Sequence, residues 1–354
     1  MHMADALISP VVGGTMWMAT LGLAAYSVKK VQNEVDEKKI PLMGVIGAFV
    51  FAAQMINFTI PGTGSSGHLG GGMLLAILLG PSAGFLTIAS VLIIQALFFA
   101  DGGLLALGCN IFNLGFYTCF IAYPFIYKRI IGKGYSNKRI YLGAMIASII
   151  GLQFGSFSVV LQTLLSGKVE LPFYTFLTLM QPIHLAIGIV EGLVTIAIVQ
   201  FVWKTKPEII EKAVIGDVLG NIPIKKVLVI FVVITLITGG ALSWFASSNL
   251  DGLEWSMFHA SGKEELETTE RIHHLLAAMQ EKIAFLPDYG FKEKPNGLNE
   301  AVGSESQIVN TGTSVSGLVG GALTLILAWM TGLIIHKIKK QNKERLVMAE
   351  SNDL

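Results

Sequence analysis

Charge is scarce in this sequence. Only 14% of its 354 residues are Asp, Glu, Lys or Arg, against about 25% in soluble proteins. So few charges cannot cover a globule of this length, which excludes an ordinary soluble enzyme. Cysteine is scarcer: Cys109 and Cys119 are the only two. They are too few for a disulfide framework and too far apart for a zinc pair. The first 28 residues contain no Lys or Arg, so neither a basic signal-peptide n-region nor an Arg-rich transit peptide opens the chain. No G-x-x-x-x-G-K-[ST] and no H-E-x-x-H occur, which removes a P-loop and a zinc-hydrolase motif. Fixed-period repeats and low-complexity tracts are missing too.

What is present is apolar sequence: 53% of residues, with a mean hydropathy of +0.64. Continuous apolar runs of about 20 residues suit membrane-spanning helices, and their lack of alternation argues against a barrel. Spans are expected near 9–28, 41–60, 69–81, 82–100, 107–127, 140–165 and 178–203, then near 225–247 and 314–336. The third is short and Gly-rich, and Pro81 divides it from the fourth. The fold class expected is therefore all-α, a polytopic integral membrane protein.

Loop charges orient it. Lys29, Lys30, Lys38 and Lys39 flank the first loop, and Lys128, Arg129, Lys133, Lys138 and Arg139 a later one. The positive-inside rule then puts the N-terminus outside, uncleaved, and the basic C-terminal tail inside. Three parts are expected: a seven-helix block, 1–203; a cytoplasmic linker, 204–224; and 225–354, a two-helix hairpin around an outside loop, 248–313. That loop holds eleven acidic and five basic residues, a net −6.

The start, Met1-His2-Met3-Ala4-Asp5, offers one metal ion three nitrogens: the Met1 amine, the His2 amide and the His2 imidazole. Closing such chelate rings requires loss of the amide proton, which Cu(II) and Ni(II) promote, giving square-planar coordination. The amine must be free of its formyl group. Gly62-Thr63-Gly64-Ser65-Ser66-Gly67-His68-Leu69-Gly70-Gly71-Gly72 falls at the same end of the bundle. Its glycines permit close backbone approach, so His68 could supply a fourth nitrogen; a flexible turn with an incidental histidine is the other reading.

His184 and Glu191 lie seven residues apart on one face of the seventh span. Buried ionisable groups in a membrane are functional candidates by default, either as a proton relay or as a structural pair. Around the ligands, Asn57, Ser65, Ser66, His184 and Glu191 are the expected supports. Gly44, Ala48 and Ala52 make a smooth stripe for helix packing, within this chain or against a partner. His259, His273 and His274 read as a solvated loop face.

These segments resemble the substrate-specific M component of nickel/cobalt energy-coupling-factor transporters over roughly residues 1–203. The rest is similar to the N component of the same systems. Its Pro-Asp-Gly-Leu-Glu signature corresponds to Asp251, Gly252, Leu253 and Glu254, with Leu250 in place of the proline. Phe285-Leu286-Pro287-Asp288-Tyr289-Gly290 adds to the likeness. The resemblance implies a natural M–N fusion with planar nitrogen ligation by Met1, His2 and His68. It implies that the Gly44/Ala48/Ala52 stripe meets a transmembrane coupling subunit that docks two cytoplasmic ATPases. The expected role is non-catalytic capture of Ni(II), or Co(II), at a prokaryotic plasma membrane, with no organic cofactor and no nucleic acid. A self-sufficient secondary transporter or channel using His184 and Glu191 is the alternative.

Overall fold

The computed structural model describes residues 2–132, 134–263, 266, 270–292 and 311–352. Helices dominate. They run α1 Pro10–Glu34, α2 Lys39–Gln54, α3 Gly72–Leu79, α4 Pro81–Phe99, α5 Leu107–Ile131, α6 Asn137–Leu165 and α7 Phe173–Thr205. After α8 Pro207–Ile215 and α9 Lys225–Gly240 come α10 Gly252–Ser261, α11 Arg271–Ile283 and α12 Thr311–Asn352. Among the described residues six of these, α1, α4, α5, α6, α7 and α12, are long and apolar enough to cross a membrane. Large apolar side chains such as Met18, Leu21, Leu185, Ile189 and Leu193 lie exposed on outer faces, as a lipid-facing surface requires.

Three expected spans are shorter in the structure, and one of them, expected over 225–247, ends as helix α9 at Gly240. The second, expected over 41–60, ends as helix at Gln54. Beyond it β1 Phe58–Ile60 pairs antiparallel with β2 Ser65–Gly67, in the register Thr59 to Ser66. Gly62 and Gly64 hold φ of +78° and +74° in the turn between them, a left-handed conformation suited to glycine. The third, expected over 69–81, is helical only from Gly72 to Leu79. At 1.5 Å per residue it measures roughly 12 Å, too little to cross a hydrocarbon core of about 30 Å. Its entire length is buried, so it is an inner half-helix. Gly71 precedes it in the left-handed region at φ +77°, and a Cβ there would stand 2.4 Å from Val50.

The linker also holds more structure than a polar connection would. Pro207 starts α8, which buries Ile209, Ile210 and Ala213 against the bundle. Further on, α12 lies along α2, and α9 completes a three-helix contact. Close approach of α9 and α12 depends on glycine: a Cβ on Gly317 would stand 2.3 Å from the Gly239 carbonyl oxygen.

That packing covers the small-residue stripe. A Cβ on Gly44 would meet the Leu325 carbonyl at 2.9 Å and Trp329 at 3.3 Å, while Ala48 and Ala52 are buried. Within the chain, Gly44 of the stripe therefore lies against α12.

Candidate metal site

Ser9 caps α1, its Oγ accepting from the Val12 amide at 3.4 Å, and Pro10 occupies the first turn. Pro there stops the helix from extending backward, so residues 2–8 fold in as a separate lead. Three attachments fix it. The Met3 amide donates to Asn110 Oδ1 at 2.8 Å, and Asn110 Nδ2 returns a bond to the Met3 carbonyl. The Gly103 amide also donates to the Met3 carbonyl, at 2.9 Å. Asp5 Oδ1 accepts from the Ala106 amide at 2.9 Å.

This lead brings His2 onto His68. The two rings stack 4° from parallel, with centroids 4.9 Å apart. His68 Nδ1 lies 3.0 Å from the Leu69 carbonyl. A carbonyl only accepts, so Nδ1 carries the proton and Nε2 the lone pair, the tautomer a metal-ligating histidine needs. Burial pushes the His68 imidazole down to about 3, so it stays neutral. His68 Nε2 faces Asp251 Oδ2 at 3.8 Å.

The His68 loop is held from below. Glu191 accepts from the Gly70 amide at 2.9 Å and the Gly71 amide at 3.2 Å, and Gln54 Nε2 donates to the Gly70 carbonyl at 2.8 Å. Glu191 thus supports the loop, and His184 Nδ1 lies 2.8 Å from the Met180 carbonyl. Ser65 pairs with Thr63. Ser66 and Asn57 make their bonds to the following segment, Ser66 to the Asn249 and Leu250 carbonyls and Asn57, through its own carbonyl, to the Ser247 amide.

That contact seats the Asp-Gly-Leu-Glu segment over the site. Asp251 caps α10, its Oδ1 accepting from the Leu253 and Glu254 amides at 2.8 Å, and Glu254 Oε2 accepts from the Asp251 amide at 3.0 Å. This reciprocal capping box forms without the usual proline. Leu253 is buried, and Gly252 packs on Ile183.

Three site residues escape sequence reasoning. Asp101 Oδ1 stands 3.1 Å from His2 Nδ1. Tyr289 donates to the other oxygen of Asp101 and receives a bond from Gln95 Nε2 at 3.2 Å. Burial alone would raise the Asp101 carboxyl, yet His2 and the Tyr289 hydroxyl hold it below the usual carboxylate range. The signal for Asp101 is a lone acid in Ala100-Asp101-Gly102-Gly103, at the bundle end carrying the glycine loop. His273 is the third. Expected on a solvated face, it is buried, with Nε2 3.0 Å from the Ile8 carbonyl, because α11 presses it onto the N-terminal lead.

Together these elements enclose a vestibule of about 700 Å³, into which Asp5, Asp101, Asp251, Glu254 and Asp288 face alongside His2 and His68. Its carboxylates favour a cation. Among the described residues no three His, Cys, Asp or Glu side chains form a ready metal cluster. The expected nitrogen set is not of that kind, since it needs a backbone amide and the amine of Met1, which lies outside the described residues.

Comparison with known proteins agrees on the family. The family model "Cobalt uptake substrate-specific transmembrane region" matches residues 2–209, and that of the PDGLE domain residues 225–337. A protein of Archaeoglobus fulgidus named "Putative fused nickel transport protein NikMN" is 34% identical over 60% of this chain and 68% of its own. Lactiplantibacillus plantarum has a "Probable fused nickel transport protein LarMN", 32% identical over 58% of this chain and 66% of its own. A crystal structure of a truncated transition metal transporter matches with a TM-score of 0.52 and 29% identity, covering 58% of this chain and 99% of that one.

Proposed function

The chain belongs to the family of cobalt-uptake substrate-specific transmembrane regions, with a PDGLE domain following in the same chain, and from that premise we propose that it captures Ni(II) for import, with Co(II) as alternative substrate. It is the metal-binding membrane component of an energy-coupling-factor importer. ATP is hydrolysed on two separate cytoplasmic subunits, coupled through a transmembrane partner. The site, the N-terminus and the acidic vestibule face outward, and the basic tail faces the cytoplasm. Residues 1–203 form the metal-binding unit and 225–354 the unit that assists it, joined by 204–224.

The observation that carries this reading is the stacking of His2 on His68, 66 residues apart in sequence, at the base of an acidic vestibule. The Met1 amine, the His2 amide and His2 Nδ1 close five- and six-membered rings around one ion, and His68 Nε2 completes the plane. A planar nitrogen field suits d⁸ Ni(II); Cu(II) binds such sites tightly as well, so availability shares in the selection. Only Nδ1 of His2 can close its ring, and in the structure that atom faces Asp101 at 3.1 Å. Loading therefore exchanges the Asp101 contact for the ion.

Nickel titration of purified protein tests this. His2→Ala, His68→Ala and protein left formylated should each lose about 100-fold or more in affinity, since metal binding requires the deprotonated nitrogens. Unchanged affinity in all three would dismiss the site.

A further inference from the structure

Helix α11, Arg271–Ile283, lies outside the spanning bundle and is tied to it at both ends. Near its start, His273 Nε2 stands 3.0 Å from the carbonyl of Ile8, just before α1 begins at Pro10. Toward its end, Gln280 Nε2 donates to the Ala96 and Gly102 carbonyls at 2.8 and 2.7 Å. Just beyond it, the Leu286 amide donates to the Phe98 carbonyl at 3.2 Å, and the Phe285 ring packs on that of Phe98 with centroids 5.4 Å apart. Phe98 belongs to the last turn of α4. Both α1 and α4 are long and apolar enough to cross a membrane, and these are their ends on the vestibule side. A helix of roughly 20 Å fastened to the ends of two spans lies across that end of the bundle, level with the bilayer surface.

Its faces differ. His273, Leu276 and Gln280, three and four residues apart, form the side turned to the bundle. His274 and Ala277 continue that side into the vestibule. Roughly a third of a turn away in the other direction run Ile272, Leu275, Met279 and Ile283. All four are exposed, Leu275 and Met279 at 54% and 53%. Scattered exposed apolar residues need no explanation, but a contiguous stripe does. Arg271 and Lys282 are exposed along its far edge. The order around the helix is thus vestibule, bundle, apolar stripe and cations.

We propose that α11 is an interfacial helix whose apolar stripe rests in the phospholipid on the vestibule side of the membrane. The vestibule occupies one flank, so the opposite flank faces the perimeter of the bundle. There α1 exposes Val11, Met18 and Leu21 as lipid-facing surface. An apolar helix face of this kind sinks about 5–10 Å into the headgroup boundary, and Lys or Arg at its edge reaches the phosphates. Arg271 and Lys282 hold that place. The contact requires no metal. Because His273 meets the Ile8 carbonyl and Gln280 holds Gly102, the lipid also steadies the vestibule wall beside the N-terminal lead.

Spin-label depth measurement tests this. The full chain carrying Leu275→Cys or Met279→Cys is labelled with a nitroxide and reconstituted into vesicles of phosphatidylcholine and phosphatidylglycerol. Both positions are exposed, so cysteine disturbs no packing there, and the two variants check each other. Wild type treated alike, whose Cys109 and Cys119 are buried, supplies the background. Oxygen concentrates among acyl chains and chromium oxalate stays in water, so their relative effects on relaxation give depth. Both labels should be reached better by oxygen, at roughly 5–10 Å below the phosphates. A label on Lys282→Cys should show the reverse preference. Chromium oxalate prevailing at both stripe positions would place the stripe in water; exclusion of both reagents would mean that a second copy or another protein covers it. Either result overturns the lipid assignment, as would oxygen prevailing equally in Lys282→Cys.

Discussion

Burial pushes the His68 imidazole down to about 3, whereas a solvated histidine titrates near 6.5. Between those values the unfolded chain binds a proton that the folded chain refuses. Folding stability should therefore fall as pH drops from about 6.5 toward about 3. In His68→Gln that slope should shrink, as thermal unfolding in detergent between about pH 4 and pH 7 will measure. The same protonation state keeps the Nε2 lone pair available to metal through mildly acidic conditions. Glu191 makes a separate contribution. Its two oxygens accept from the Gly70 and Gly71 amides, which fixes the loop carrying His68. Glu191→Gln presents one of those amides with an NH₂ instead of an acceptor. Nickel affinity should drop about 10- to 100-fold, as for other groups that orient metal ligands; an unchanged titration would show that the loop holds without it. His2 and His68 could be singled out from sequence because each sits in a segment of distinctive composition. Asp101 gave only the weak signal of a lone acid beside Gly102-Gly103, because its importance depends on which atoms of His2 and Tyr289 fold against it.

At the scale of elements, glycine decides where helices stop and how closely they pass. The apolar runs gave most spans to within a few residues, because a lipid-facing helix must be continuously apolar. Hydropathy says nothing about a buried half-helix, since α3 reads as apolar whether it spans or not. The strand pair at 58–67 escaped for the same reason: Phe58-Thr59-Ile60 is as compatible with a helix end as with a strand until Gly62 and Gly64 turn left-handed. The α9–α12 crossing offers a direct test of this scale. A side chain on Gly317 meets the backbone of Gly239, not a movable side chain, so neither helix can yield without separating. Gly317→Leu should destabilise the protein by about 1–3 kcal/mol or more, in the range of overpacked cores, and lower its melting temperature in detergent. Gly240→Leu is the control, since a Cβ there meets only Leu318 at 3.9 Å. Equal effects from both would mean that the crossing is not the tight contact.

Over the whole molecule, the formal charge of +1 hides a polarised protein. With the proposed orientation the outward segments carry −8, the inward ones +10, and Glu191 lies between. The vestibule concentrates the negative end, drawing Asp5 and Asp101 from the bundle and Asp251, Glu254 and Asp288 from the loop that follows it. The two parts do not contribute alike. His2 and His68 are fixed by groups within 1–203: Asn110 on Met3, Ala106 on Asp5, and Glu191 and Gln54 on the glycine loop. The loop adds contacts around them, through Tyr289 on Asp101, Asp251 facing His68, the Asn249 and Leu250 carbonyls on Ser66, and His273 on the Ile8 carbonyl. Equilibrium capture should then survive loss of the loop, whereas the steps that exchange Asp101 for metal and pass the ion inward should not. Deleting residues 249–312 should leave nickel affinity within about tenfold of wild type and sharply reduce uptake in cells that also express the coupling and ATPase subunits. Parallel loss of affinity and uptake would place the loop in the capture site itself and would contradict this division of labour.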